Sequence, residues 1–116
     1  MVRTQMVKMT NKVYKHLKRQ GTLCKDEIGE CLYRDGKGNS CGIGGLIPDE
    51  LYCPSMEGSA ASALVSRFQL NEIFDGLDDG FLDDLQANLH DRLTTVDDLD
   101  EARIDFLNNI EEGIYD

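Results

Sequence analysis

Apolar residues recur along the first twenty positions at Met6, Met9, Val13 and Leu17, spacings of three and four that place them on one face of a helix over about 4–20. Gly21 supplies its stop. Lys8, Lys12, Lys15, Lys18 and Arg19 fall mainly off that stripe, the last two near the negative end of the helix dipole. The pattern then changes period. Cys31-Leu32-Tyr33-Arg34 suits a short strand, Asp35-Gly36-Lys37-Gly38-Asn39 is a dense turn signal, and Cys41-Gly42-Ile43 can return as the partner strand. Gly and Asn accept the positive φ of tight hairpins, so a β-hairpin is predicted over about 29–47. Leu46 to Tyr52 reads as a short helical turn with Pro48 at its first position and two acids behind it, and Cys53-Pro54 breaks it.

From about 59 to 114 the pattern is helical with short breaks. Ala60, Ala63, Leu64 and Val65 make a small-residue helix, and Leu70 to Phe74 a further turn ended by Gly76. Phe81, Leu82, Leu85 and Leu89 return at helical spacing. Thr95-Val96-Asp97-Asp98 has the form of a capped helix start, with an acid three residues after the threonine. The last helix, about 96–114, is expected to bury Leu99, Ala102, Phe106, Ile110 and Ile114. The fold class expected is therefore α+β: a small antiparallel β-hairpin packed on four to five helices. One domain spans the 116 residues, a length that can bury a single core.

Charge changes the picture. Residues 1–40 carry nine Lys/Arg against four Asp/Glu, whereas residues 41–116 carry three against eighteen, within a formal net charge of −10. A field of that sign attracts a basic partner and repels nucleic acid and membrane surfaces. No run approaches the roughly 18 apolar residues of a membrane span. Met1-Val2-Arg3-Thr4 is not followed by an apolar stretch, so a secretory signal is not expected. Cys24, Cys31, Cys41 and Cys53 are accordingly read as reduced thiols in a cytoplasmic protein. With the apolar stripes turned inward, Asp78, Asp79, Asp83, Asp84, Asp97, Asp98, Asp100 and Asp105 are expected to project outward as one negative, partner-binding surface.

The candidate chemistries fail at specific positions. Zinc sites present ligands as close pairs, whereas these cysteines are separated by six, nine and eleven residues, so no metal or cofactor is expected. A Cys41–His90 dyad is conceivable beside the flexible Gly42, Gly44 and Gly45, but no local signature supports it. The glycine stretches match neither the dinucleotide nor the phosphate-loop pattern. Aligning Asp75 with the first position of a calcium loop puts Leu77 and Gln86 where carboxylates are required. His90 is expected near an edge of its helix, making a structural hydrogen bond to a carbonyl or to the hairpin.

The run Cys31-x-Tyr33-Arg34 … Cys41-Gly42-Ile43-Gly44-Gly45-Leu46-Ile47-Pro48-Asp49-Glu50-Leu51-Tyr52, then Met56-Glu57-Gly58, and a later Leu85-Gln86-x-x-x-His90-Asp91 resemble a group of small proteins from tailed phages and prophage regions. The group brings no established activity. Its members often carry a Cys where this chain has Gly45, which weakens any metal site built on paired cysteines. The resemblance implies a phage protein made in a bacterial host cytosol, with Cys31, Tyr33, Arg34, Cys41, Pro48, Asp49, Tyr52, Gln86, His90 and Asp91 as motif residues. The function expected is that of a small acidic accessory protein that binds and modulates a basic host protein, in its sharper form by imitating nucleic-acid charge. The alternatives are a small cytosolic hydrolase using Cys41 or His90 with Asp91, and a nucleic-acid binder acting through the basic first helix.

Overall fold

The first apolar stripe organises the molecule. Helix α1, Val2–Gln20, turns Met6, Met9, Val13 and Leu17 fully inward and leaves its lysines in solvent. Thr10 joins that buried face because its hydroxyl donates to the Met6 carbonyl at 2.8 Å, which satisfies the group within the helix. The computed structural model describes residues 2–70, 72–74 and 77–115. Three further α-helices follow among them: α2 (Ala61–Arg67), α3 (Asp79–Gln86) and α4 (Leu99–Glu111). Helix α3 widens into a π turn over Ala87–Asp91, and α4 is preceded by a 3-10 turn over Val96–Asp98 with a Thr95/Asp98 capping box. Helix α4 packs against α1, and Phe81, Leu82, Leu85 and Leu89 meet Phe106 and Ile110 in the core. Ile114, expected inside, is 59% exposed. The stop expected at Gly76 and the calcium-loop start at Asp75 lie outside the described residues.

The expected β-hairpin does not form. Among the described residues there is no strand, sheet or hairpin, so the fold is helical and not α+β. Residues 21–60 make an irregular layer with only two isolated antiparallel bridges, Lys25 to Cys31 and Arg34 to Ser40. The backbone donors that a ladder would need go to carboxylates. Asp35 accepts from the amides of Lys37 and Asn39 at 2.7 and 3.1 Å, and Asp26 from those of Ile28 and Glu30 at 3.0 and 2.8 Å. The amides of Tyr33 and Arg34 donate to Glu57 instead of to a partner strand.

Two of the glycines read as hairpin material serve close packing. A Cβ on Gly42 would lie 2.3 Å from Val13 Cγ1, and one on Gly44 would lie 2.3 Å from the Tyr33 carbonyl oxygen. The first contact presses the layer onto α1, and the second folds the layer against itself. The layer adds Cys24, Tyr33, Cys41, Ile43, Ile47 and Met56 to the core. Pro48 opens a single turn, in which the amides of Leu51 and Tyr52 donate to its carbonyl. Cys53 is extended, as the proline after it requires.

Candidate functional site

The motif residues come together in two neighbouring groups. Helix α3 delivers the first. Asp78 caps it by accepting from the amides of Gly80 and Phe81, and its apolar residues fix the inward face. His90 stands two turns after Leu82 and one after Gln86 on the same stripe, at a π turn, and the adjacent residues Leu89 and His90 are both fully buried. His90 is therefore not at an edge of its helix.

The partners of His90 fix its tautomer. Its Nε2 lies 2.9 Å from the backbone nitrogen of Cys24, and an amide can only donate, so Nε2 presents its lone pair. The proton sits on Nδ1 and is donated to Asp91 Oδ1 at 2.9 Å. Gln86 completes the group: its Nε2 donates to the same Asp91 oxygen at 2.8 Å, and its Oε1 accepts from the Ile43 amide at 3.2 Å. Burial pushes the Asp91 carboxyl up, but hydrogen bonds from His90, Cys31 and Gln86 outweigh it and hold the group below its ordinary value. The node thus ties the α3 segment to the irregular layer at two points, Cys24 and Ile43.

Cys31 Sγ, a His90 nitrogen and an Asp91 carboxylate oxygen lie within 4.8 Å of one another, a spacing a metal ion could bridge. The proton inventory argues against that use. A metal on Nδ1 would need the proton gone while Nε2 still accepts from Cys24, which would require an imidazolate. The same occupancy removes His90 as a general base. Desolvation, with Asp91 alongside, pushes the Cys31 thiol up to about 11. Cys41, the nucleophile of the hydrolase alternative, is fully buried; desolvation pushes its thiol far up, and its sulfur accepts from the Gly44 amide at 3.1 Å. A cleft of about 280 Å³ beside this node is lined by Cys31, Tyr33, Ser59, Gln86 and Asp91.

The second group surrounds Glu57, which sequence reasoning left out of the site although it stands in the Met56-Glu57-Gly58 run. Its carboxylate accepts from the Tyr33 amide at 2.8 Å, the Arg34 amide at 3.1 Å and the Tyr52 hydroxyl at 2.6 Å. Desolvation together with that bond to Glu57 pushes the Tyr52 hydroxyl up to about 12. The Arg34 guanidinium lies 4.8 Å from the centre of the Tyr52 ring, donates to the Ile47 carbonyl at 2.5 Å and pairs with Asp49 at 2.6 Å. These residues line one side of an open groove of about 900 Å³ with Pro48. Both groups hold the layer together.

The eight acids expected to form the negative surface divide by environment. Asp78 and Asp98 cap helical turns, and Asp100 accepts from the Tyr14 hydroxyl and pairs with Lys18 at 3.4 Å. Asp83 and Asp84 are half-buried: Asp83 accepts from the Ser62 amide and hydroxyl, both at 2.9 Å, and Asp84 from the Tyr115 hydroxyl at 2.8 Å. These two do not project freely outward. Asp79, Asp97 and Asp105 are exposed. Among the described residues no helix is long and apolar enough to cross a membrane. Comparison with known proteins returned no match among family models, curated proteins or solved structures.

Proposed function

We propose that this chain is a non-enzymatic accessory protein that binds a basic protein through the outer face of α4. One observation carries the reading. Glu101 and Asp105 lie on that face, with Asp97 in the turn before the helix and Glu112 just past its end, all exposed, and Ile104 is 56% exposed among them. An apolar anchor inside a charged surface suits a protein partner, because the carboxylates steer the encounter while the buried side chain holds it. The phage-like motif makes that partner a protein of the bacterial host cytosol. In the sharper form of the reading, the row of carboxylates takes the place of backbone phosphates. The hydrolase alternative draws no support from a buried Cys41 and a His90 with both nitrogens engaged.

The test is capture from host lysate on immobilised wild type and on an Asp97→Asn/Glu101→Gln/Asp105→Asn variant, followed by affinity measurement at about 50 and 300 mM salt. A basic protein held by the wild type, released by salt and not held by the variant is the expected result. Equal retention by both chains would overturn the assignment. Asp83 and Asp84 are unsuitable for this test, since neutralising them removes intramolecular contacts.

A further inference from the structure

The seam between α1 and α4 has two sides of opposite charge. The Tyr14 hydroxyl donates to Asp100, Lys18 pairs with Asp100 at 3.4 Å, and Arg103 donates to Asn11 at 3.4 Å. As residue numbers fall along α1 they rise along α4, so the two helices run antiparallel. Val7, Asn11, Tyr14 and Lys18 share one strip of α1, and Asp100, Ile104, Leu107 and Glu111 share one strip of α4. Val7 is 37% and Ile104 56% exposed, so both helices offer an apolar side chain to solvent along this seam. Beyond them the charges separate. The outer shoulder of α1 carries exposed Lys8, Lys15 and Arg19, and α1 contains no acid at all. The outer shoulder of α4 carries exposed Glu101, Asp105 and Glu112.

We propose that this two-helix face binds a second copy of the chain, with α1 of each copy lying antiparallel on α4 of the other. The charge pattern selects the arrangement. A two-fold axis parallel to the helices places each basic shoulder on an acidic one and brings the apolar side chains between them. An axis in the same plane but across the helices would set α1 on α1 and α4 on α4, like charge on like. The face is small: thirteen residues of α4 span about 20 Å, and two helices side by side are about 20 Å wide. A footprint of about 400 Å² on each copy lies below the size of stable interfaces, so the dimer is a weak one that forms at micromolar and not nanomolar concentration. It covers the α4 face assigned above to a basic partner, so self-association and partner binding compete, although the dimer does not depend on that partner existing.

Sedimentation equilibrium of the purified chain, from about 5 to 200 μM, tests this. In about 0.1 M salt the wild type dimerises, and in about 0.5 M salt the dimer weakens, because close charge pairs are screened. Lys8→Glu/Lys15→Glu and Glu101→Lys/Glu112→Lys are each monomeric, with circular dichroism and melting curves of a folded chain. Their equimolar mixture is dimeric, because each variant then meets the opposite sign on both helices. A wild type that stays monomeric across the range would overturn the proposal, as would a dimer that survives both charge reversals or a mixture of folded variants that fails to pair. A monomeric wild type that binds duplex DNA, and loses it in Lys8→Glu/Lys15→Glu, would overturn it in favour of phosphate contact by α1.

Discussion

Glu57 receives three donors, two of them backbone amides that have no strand to pair with. Replacing it with Gln leaves one acceptor oxygen and turns an NH₂ group toward the remaining donors. The expected cost in denaturant unfolding is about 1–3 kcal/mol, and a change too small to measure would mean that water replaces the carboxylate. Tyr52 should titrate lower in the same variant, because the acceptor that raises it becomes neutral. Asp91 makes a pH-dependent contribution with a definite sign. Its folded-state value is held below the ordinary 3.8, so its stabilisation is present above that pH and is lost as pH falls through the folded value. Acid unfolding of the wild type should therefore steepen below about pH 4, and Asp91→Asn should flatten that limb. Identical acid limbs would remove Asp91 from the account.

Helix α2 begins at Ala61 after Ala60, a residue with no side-chain acceptor for the free amides of the first turn. Asp83 supplies one from α3, across 21 positions of sequence. Asp83→Ala should cost about 1–2 kcal/mol, as loss of a cap does, and should raise amide exchange in α2 before any other helix. An unchanged α2 would show the contact to be passive. Helices were the legible part of this sequence because a single period places each of Met6, Val13, Leu85 and Phe106 inside. The same period says only which side a residue faces, so it could not reveal that Asp83 and Asp84 reach Ser62 and Tyr115 on other elements. The hairpin failed for a different reason. Asp35-Gly36-Lys37-Gly38-Asn39 does turn the chain, but turn chemistry says nothing of whether the flanking amides find a strand, and here the Asp35 and Glu57 carboxylates take them. Glu57 and the motif residues Gln86, His90 and Asp91 were visible as a pattern. Their grouping was not, because the amides of Cys24 and Ile43 that His90 and Gln86 bind belong to the irregular layer, which no period places.

At the scale of the molecule, two kinds of cohesion meet. The helices hold one another through apolar stripes, whereas residues 21–60 are held largely by side-chain acceptors and by the close approach of Gly42 and Gly44 to α1 and Tyr33. The charge split between residues 1–40 and 41–116 was readable from composition, but its conversion into a basic shoulder on α1 beside an acidic one on α4 required the antiparallel contact of those helices. The four cysteines turn this division into a clock. Cys31 and Cys53 are half-buried, while Cys24 and Cys41 are sealed beneath the irregular layer, all four as free thiols. A thiol reagent should label the first pair in the closed molecule, Cys31 slowly because its thiol is pushed up to about 11, and the second pair only when the layer lifts. Because that layer lacks a ladder, it should open while the helices stay formed. The labelling of Cys24 and Cys41 should then report an opening free energy below that of global unfolding, with a dependence on denaturant shallower than the global one. Labelling that tracks global unfolding in both respects would instead make the layer and the helices one cooperative unit.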